Sequence, residues 1–182
     1  LMKPFKKKDL SSIVNDIFQR YDRRAGEIDK WGEVIQPKTS AVLDKIKDQG
    51  FHYATVAGFS ISLDDIHIVQ GKEEILKSGD EKVNKLTDMF KMGLLTDKER
   101  HDQVVKVWDD VKNEVQAKLQ EQFKVDTRNS IYMMSDSGAR GNISNILQLA
   151  GMRGLMGSTS GEAVELPVKS CFREGMSVSE FF

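Results

Sequence analysis

Apolar residues recur in two long stretches of the chain at the three- and four-residue spacing of amphipathic helices. The stretch from residue 98 to 123 places one stripe on a single face: Val104, Trp108, Val111, Val115, Leu119 and Phe123. The stretch from residue 72 to 90 contains a sparser stripe: Leu76, Val83, Leu86 and Phe90. Lys, Glu, Asp and Gln crowd the other positions, so both stripes are narrow. The pattern predicts two long helices that pack along one seam.

The residues between the two stretches, Met92–Asp97, carry signals that end one helix and begin the next. Gly93 can adopt the left-handed conformation that follows many helices, and Thr96 with Glu99 has the spacing of a capping box. We therefore predict an antiparallel helical hairpin that projects into solvent, with arms about 30–40 Å long. The alternative is ordinary packing inside a helix bundle, which requires wider apolar stripes.

Two shorter helices are predicted before the hairpin. Asp9–Tyr21 carries one apolar stripe. Thr39 or Ser40 can cap a second helix that runs to Gln49, and Gly50 is expected to end it.

The remaining elements are short. Alternating apolar and polar residues predict strands at Phe59–Leu63 and Glu162–Val168. Asn142 can cap a helix through Leu149, and Ser177 can cap a final helix.

These elements predict a mainly α fold with a minor α+β contribution: a small helical base, a short β element and the projecting hairpin. We divide the chain into residues 1–71, 72–124 and 125–182. Leu1 opens the chain without a start methionine, and Phe182 ends it where a helix begins, so we expect a fragment of a larger subunit.

The composition restricts the partners and the cellular compartment that this chain can be expected to have. The 27 basic and 28 acidic residues nearly cancel, so the net charge does not favour nucleic acid or membrane. Cys171 is the only cysteine, which excludes an internal disulfide and fits a small buried apolar role in a reducing compartment. Neither an apolar stretch long enough to span a membrane nor a secretory signal is present.

The residues offer little chemistry for catalysis. Asp64–Asp65 and Asp109–Asp110 are adjacent pairs whose side chains diverge, so turn or solvent positions are expected rather than metal ligands. No Cys or His motif for metal is present, and Ser135 and Ser137 have no evident base partner.

A glycine-rich segment carries the best candidate site. Arg140 lies in the sequence Gly138-Ala-Arg-Gly141, and a second arginine, Arg153, precedes Gly154. Glycine lets the main chain come close to a ligand, and arginine is a forked, permanently charged donor, so Arg140 is a candidate phosphate contact. The alternative is a glycine-rich turn in which Arg140 pairs with a nearby carboxylate.

Several motifs, in this order and spacing, resemble those of the largest catalytic subunit, beta-prime, of bacterial DNA-dependent RNA polymerase. They are Gly50–Gly58, Gly93–Arg100, Asn129–Asn142, Gln148–Met156, Glu165–Pro167 and Phe172–Gly175. Two positions depart from the family pattern: Leu147 stands where arginine is expected in many members, and Cys171 where asparagine is expected.

The resemblance implies that residues 1–71 are a pore-like segment and that the hairpin is the rim of the secondary channel. Transcript-cleavage factors and related regulators would dock at its tip, which consists of Met92, Gly93, Leu94, Leu95, Thr96, Asp97 and Lys98.

The resemblance also implies that Arg140 contacts the phosphates of the incoming nucleoside triphosphate, with Met134 near the same path. Residues 125–182 would be the funnel and F-loop segment, leading into the bridge helix. The implied F-loop residues are Asn145, Gln148, Met152, Arg153 and Met156.

The parent enzyme would be a cytoplasmic nucleotidyltransferase that uses Mg²⁺. Its catalytic aspartates lie outside these residues, so the segment alone should hold no cofactor and be inactive. Implied partners are the beta, alpha and omega subunits, nucleoside triphosphates, and DNA and RNA through the parent complex, with no membrane.

Two other functions stay open. The chain could be a free-standing hairpin module that docks a regulatory protein, or a small enzyme that binds nucleotides through the Arg140 loop. The missing carboxylate cluster counts against the second.

Overall fold

A computed structural model describes residues 7–27, 30–31, 35, 37–159 and 161–181. They group into two compact units, residues 1–61 with 136–140 and residues 62–135 with 141–182. The predicted three-part functional division stays a prediction. The α-helices of the described residues are α1 Lys7–Ile17, α2 Thr39–Ala57, α3 Lys72–Lys91, α4 Asp97–Val125, α5 Ser130–Ser137, α6 Ile143–Ala150 and α7 Val178–Phe181.

In the first unit, the start of α2 is capped from a distance. After α1 the chain forms a π-helical turn, Phe18–Asp22. The Asp22 carboxylate accepts the N–H groups of Lys38 at 2.6 Å and Thr39 at 2.9 Å. These bonds hold the pKa of Asp22 below its usual value. The prediction that Thr39 or Ser40 caps α2 is therefore wrong, because Asp22 already satisfies the first donors.

The end of α2 also differs from the prediction. Gly50 does not end the helix, which continues to Ala57. The left-handed C-cap is Gly58, with a φ of 61°. A glycine inside a helix costs only about 1 kcal/mol relative to alanine, so Gly50 is tolerated.

The strand predicted at Phe59–Leu63 is absent from the described residues. Ser62 instead caps a 3₁₀ turn at Leu63–Asp65. Its hydroxyl accepts the Asp64 N–H at 3.1 Å, and its own N–H donates to the Asp65 carboxylate at 2.7 Å. This local capping box outweighs the weaker signal of apolar alternation.

The helical hairpin of the second unit is formed by α3 and α4. Its second arm buries all six of the predicted residues. Gly93 has a φ of 74° between the arms. The capping box is confirmed: the Glu99 N–H donates to the Thr96 hydroxyl at 3.3 Å, and the Thr96 N–H to Glu99 at 2.9 Å.

Three residues of the stripe predicted for the first arm pack against the core, Leu76, Val83 and Leu86, and the arm also buries Ile75 and Gly79. Ile75 and Gly79 are buried, whereas Leu76, Val83 and Leu86 are half-buried and Phe90 is exposed. At Gly79 the two helices come close, because a Cβ placed there would lie 2.8 Å from Val111 Cγ2 and 3.2 Å from the Trp108 ring.

The core of this unit extends from α4 to the short helices. Ile146, Leu147 and Ala150 of α6 are buried in one cluster with the α4 stripe. A Cβ at Gly151 would lie 3.1 Å from Val115 Cγ1, so α6 ends close to α4. Tyr132 of α5 packs against Phe123, with ring centroids 5.4 Å apart.

The described residues between 152 and 171, which we call the ribbon, contact the hairpin through the side chains of Glu165 and Lys169. Gly154 and Val168 form one antiparallel bridge, and Gly157 and Ala163 form another. The strand predicted at Glu162–Val168 is thus reduced to isolated bridges. Val164 bonds to Met156 and Val168 bonds to Gly154 on the opposite side of the ribbon. Three residues lie between Val164 and Val168, but only one lies between Met156 and Gly154. The ribbon therefore bulges at residues 165–167.

The hairpin consequently buries more than its seam. Side chains from the ribbon and the residues just after it bind both arms, as described below, although most residues of the two arms stay exposed. The ribbon contacts the arms through charged side chains and also through Met152 and Leu155, which pack in the apolar cluster of α4.

Candidate functional site

The Arg140 loop has the backbone that its glycines predict. Gly138 and Gly141 have φ values of 78° and 76°, a region that favours glycine. The Ala139 N–H donates to the Ser137 hydroxyl at 3.4 Å. Arg140 itself is exposed. Its loop can therefore present both a guanidinium and main-chain groups to a ligand.

Carboxylate pairing of Arg140 is not seen in its own unit. Among the described residues of that unit, the cations in ion pairs are Arg20, Arg24 and Lys47. The alternative interpretation, a turn in which Arg140 is held by a carboxylate, thus has no support there.

Met134 and the predicted F-loop residues belong to the second unit. Met134 is half-buried on α5, and Met152 is fully buried in the core. Asn145 forms a capping box with Asn142 at the start of α6. The Gln148 carbonyl accepts the Phe172 N–H at 3.0 Å. Residues 145–150 are thus helical, and the rest of the predicted F-loop enters the ribbon.

Arg153 and Met156 are brought together at a cleft between the ribbon and α7. The cleft has a volume of about 760 Å³ and is also lined by Lys169, Glu180 and Phe181. The Arg153 guanidinium lies over the Phe172 ring, 5.4 Å from its centroid. A cation and an apolar rim therefore face the same space.

Arg100 and Glu165 join the hairpin to the bulge of the ribbon. Arg100 Nη1 donates to Glu165 Oε2 at 2.6 Å, and Nη2 donates to Oε1 at 2.9 Å. His101 Nδ1 lies 2.9 Å from the same Oε1. The Arg100 hydrogen bonds outweigh burial and lower the pKa of Glu165, and they raise the pKa of Arg100.

Lys169 joins the ribbon to both arms farther from the tip. Its Nζ lies 2.6 and 2.8 Å from the two Asp80 carboxylate oxygens on α3. It also lies over the Trp108 ring on α4, 5.2 Å from the centroid. One ammonium thus contacts both helices.

Glu180 joins the ribbon to α7. It accepts the N–H groups of Lys169 at 3.0 Å and Ser170 at 3.1 Å, and the Ser177 N–H at 3.0 Å. Burial alone would raise the pKa of Glu180, but these donors and the two serine hydroxyls outweigh it and lower the pKa to about 2. Ser177 caps α7 as predicted.

Lys72 and Glu174 form a further ion pair beneath the ribbon. The Lys72 side chain is only 6% exposed. Glu174 also accepts the Cys171 N–H at 3.0 Å. Cys171 is fully buried, and burial raises the pKa of its thiol. The predicted role of Cys171 as a small buried residue is confirmed.

Sequence reasoning missed most of these charged contacts. Lys72 and Glu174 are 102 positions apart, and Arg100 and Glu165 are 65 apart. No local pattern links such residues. Only the Ser177–Glu180 spacing, which has the form of a capping box, could have identified Glu180.

Comparison with known proteins places this geometry in a family. The model of RNA polymerase Rpb1, domain 4, matches residues 95–173. The DNA-directed RNA polymerase subunit beta' of Shouchella clausii is 45% identical over 182 residues, 100% of this chain and 14% of the relative. The same subunit of Limosilactobacillus reuteri is 47% identical over 182 residues, again 14% of its length. That of Acholeplasma laidlawii is 46% identical over 179 residues, 12% of its length.

The chain belongs to the beta-prime family of bacterial RNA polymerase subunits. It matches a segment of them, since it spans about one seventh of the length of these relatives. The Rpb1 domain 4 match begins just before α4 and ends just after the ribbon, so it includes the Arg140 loop and the bulge at Glu165.

The tip of the hairpin in this beta-prime segment is apolar and exposed. Met92 is 73% and Leu94 66% exposed. Exposed apolar residues in a short capped turn form a surface that can contact another protein. The tip residues Met92–Lys98 lie together, as predicted from the turn.

Two further observations concern metal and membrane. In the described part of this beta-prime segment, no three His, Cys, Asp or Glu side chains are arranged to hold an ion. No helix in the described ranges is long and apolar enough to cross a bilayer.

Proposed function

We propose that this chain acts within the catalytic beta-prime subunit of bacterial DNA-dependent RNA polymerase, a cytoplasmic nucleotidyltransferase that synthesises RNA on a DNA template. The main support for this proposal is the 45% identity to a beta' subunit across all 182 residues. The segment itself would position substrate and partners, while Mg²⁺ and its aspartates would be supplied by other residues of the longer subunit.

The hairpin would form the rim of the secondary channel. The exposed apolar tip around Met92 and Leu94 supports docking of transcript-cleavage-type factors there. The capping box at Thr96 supports the same role, because it fixes the turn that presents these residues.

Arg140 would align the triphosphate of the incoming nucleotide. Its exposure supports this role, as do its two positive-φ glycines. A guanidinium binds phosphate oxygens in a forked geometry, so it can hold the substrate by electrostatics without moving a proton. Met134, on α5 just before this loop, would lie near the same path.

The first unit supports assembly into a larger complex. Apolar side chains stay more than half exposed on α2 and just after it: Phe51, Tyr53, Val56, Phe59 and Ile61. So many large exposed apolar side chains in one short segment support a role in contacts with other proteins. We propose that other parts of beta-prime or the beta, alpha and omega subunits cover it, with DNA and RNA bound by the whole complex.

The Arg140 role is tested in the whole polymerase. Arg140→Ala should raise the apparent KM for nucleoside triphosphates by roughly 10- to 100-fold, the loss expected for one charged hydrogen bond. Arg140→Lys should restore part of the lost nucleotide affinity, because lysine keeps the positive charge but cannot bind two phosphate oxygens at once as a guanidinium does.

The matched control is Arg128→Ala, which removes an exposed arginine from the turn after α4. It should leave the nucleotide KM unchanged. Equal KM values for the Arg140→Ala enzyme and the wild type would refute the nucleotide contact.

The exposed tip also favours a second candidate, a free-standing hairpin module that docks a regulatory protein. Sequencing the gene distinguishes the two candidate functions. A reading frame that encodes the rest of a beta-prime subunit supports the polymerase, and one limited to this segment supports the module.

A further inference from the structure

Lys169 occupies a junction between the hairpin and α7. Its ammonium binds Asp80 of α3 with two contacts and covers the Trp108 ring of α4. Its own N–H donates to Glu180 of α7. One residue therefore contacts three helices, two through the side chain and one through the main chain.

Glu180, on the α7 side of this junction, also makes several hydrogen bonds. The same Glu180 carboxylate accepts the N–H and hydroxyl groups of Ser170 and of Ser177. Ser177 is the cap of α7. Glu180 thus binds the ribbon on one side and the first turn of its own helix on the other, so α7 cannot shift without moving the main chain at Lys169.

We propose that Lys169 and Glu180 form a relay that couples the hairpin arms energetically to the start of α7. A change at Asp80 alters the position of the Lys169 main chain and therefore the bonds that hold Glu180. By thermodynamic reciprocity, loosening Glu180 weakens the contacts of Lys169 with the hairpin. Lys169 is the positioning residue of this relay.

The geometry separates the two halves of the relay. Lys169→Met removes the ion pair with Asp80 but keeps the N–H that binds Glu180. Glu180→Gln weakens the α7 side but keeps the Lys169 ammonium. The coupling can therefore be measured in both directions with variants that do not alter the reporter itself.

The first experiment follows amide hydrogen exchange of Ser170 by NMR in the 182-residue chain. Asp80→Asn and Lys169→Met should each speed exchange of the Ser170 amide about two- to fivefold, the range for a partly exposed ion pair. Lys169→Arg keeps a cation for Asp80 and should restore slow exchange.

The matched control is Glu81→Gln, which changes the exposed carboxylate next to Asp80 on α3. It should leave exchange of the Ser170 amide unchanged. Far-UV circular dichroism confirms that each variant keeps its helices. An equal acceleration in Glu81→Gln would overturn the relay, because it would show general loosening of the hairpin.

The second experiment reads the opposite direction. In a Trp31→Phe background, Trp108 is the only tryptophan. Glu180→Gln should shift Trp108 fluorescence to longer wavelength, because a displaced Lys169 exposes the ring to water. Unchanged emission in Glu180→Gln, or unchanged Ser170 exchange in Asp80→Asn, would refute the coupling.

Discussion

Arg100 holds Glu165 with two parallel hydrogen bonds, of 2.6 and 2.9 Å, between the hairpin and the bulge of the ribbon. The Arg100 side chain is 17% exposed and that of Glu165 33%. Bidentate geometry and partial burial make this pair stronger than an ordinary surface ion pair. It anchors the ribbon one helical turn from the hairpin tip.

Glu165→Gln should lower the free energy of unfolding by about 1–2 kcal/mol, because Arg100 loses its charged acceptor while partly buried. Urea unfolding measures the change. The control, Asp44→Asn, breaks an exposed pair with Lys47 on α2 and should change stability by less than about 0.5 kcal/mol. Equal stability of Glu165→Gln and the wild type would contradict an anchoring role.

Two helical glycines should respond in opposite ways to alanine. At Gly79 an added Cβ would lie 2.8 Å from Val111, so Gly79→Ala should destabilise the hairpin despite better helix propensity. Nothing lies within 4 Å of a Cβ at Gly50, so Gly50→Ala should stabilise the chain by about 0.5–1 kcal/mol. Thermal unfolding of both variants decides this, and a stabilised Gly79→Ala would disprove the close helix contact.

Leu147 is a core residue in this chain, only 1% exposed. Leu147→Ala should cost about 2–5 kcal/mol through lost burial and the cavity left behind. The control is Leu166→Ala, because Leu166 is 80% exposed and should contribute less than about 0.5 kcal/mol. Similar urea midpoints for the two variants would show that α6 is not packed on α4.

Glu180 should make stability depend on pH. Its folded pKa of about 2 lies below the ordinary value of 4.5. Its stabilising contribution is therefore fully present above about pH 4.5 and is lost as pH falls toward 2. Glu180→Gln should lower Tm at pH 6 and converge with the wild type as the pH approaches 2.

The control for this pH profile is Glu114→Gln, which changes an exposed glutamate on α4. Its Tm should follow that of the wild type across the range. A Tm difference for Glu180→Gln that is the same at pH 6 and pH 3 would indicate a packing effect rather than lost ionisation.

Features governed by local periodicity could be predicted from the sequence. The six-residue stripe of α4, the Gly93 turn, and the caps at Thr96, Asn142 and Ser177 all agree with the structure. The mainly α fold and the beta-prime family also agree. These features depend on residues within one or two helical turns, or on contiguous motifs, so the sequence contains them directly.

Features governed by distant contacts could not be predicted. The cap of α2 comes from Asp22, 17 residues before Thr39. The ion pairs of the ribbon join residues that are far apart in sequence, so no local pattern reveals them. The nucleotide contact of Arg140 and the docking role of the tip stay predictions, because they require molecules beyond this chain.

The ribbon and the residues just after it contact the hairpin at two levels, Glu174 at Lys72 and Glu165 at Arg100. These two ion pairs fix the length of the arms between Lys72 and Arg100. Insertions that lengthen both helices between Lys72 and Arg100 would break one of the two ion pairs. Insertions in the turn beyond Arg100 would break neither. Natural length variation in this hairpin should therefore be confined to the outer turn, where added residues leave both ion pairs in place.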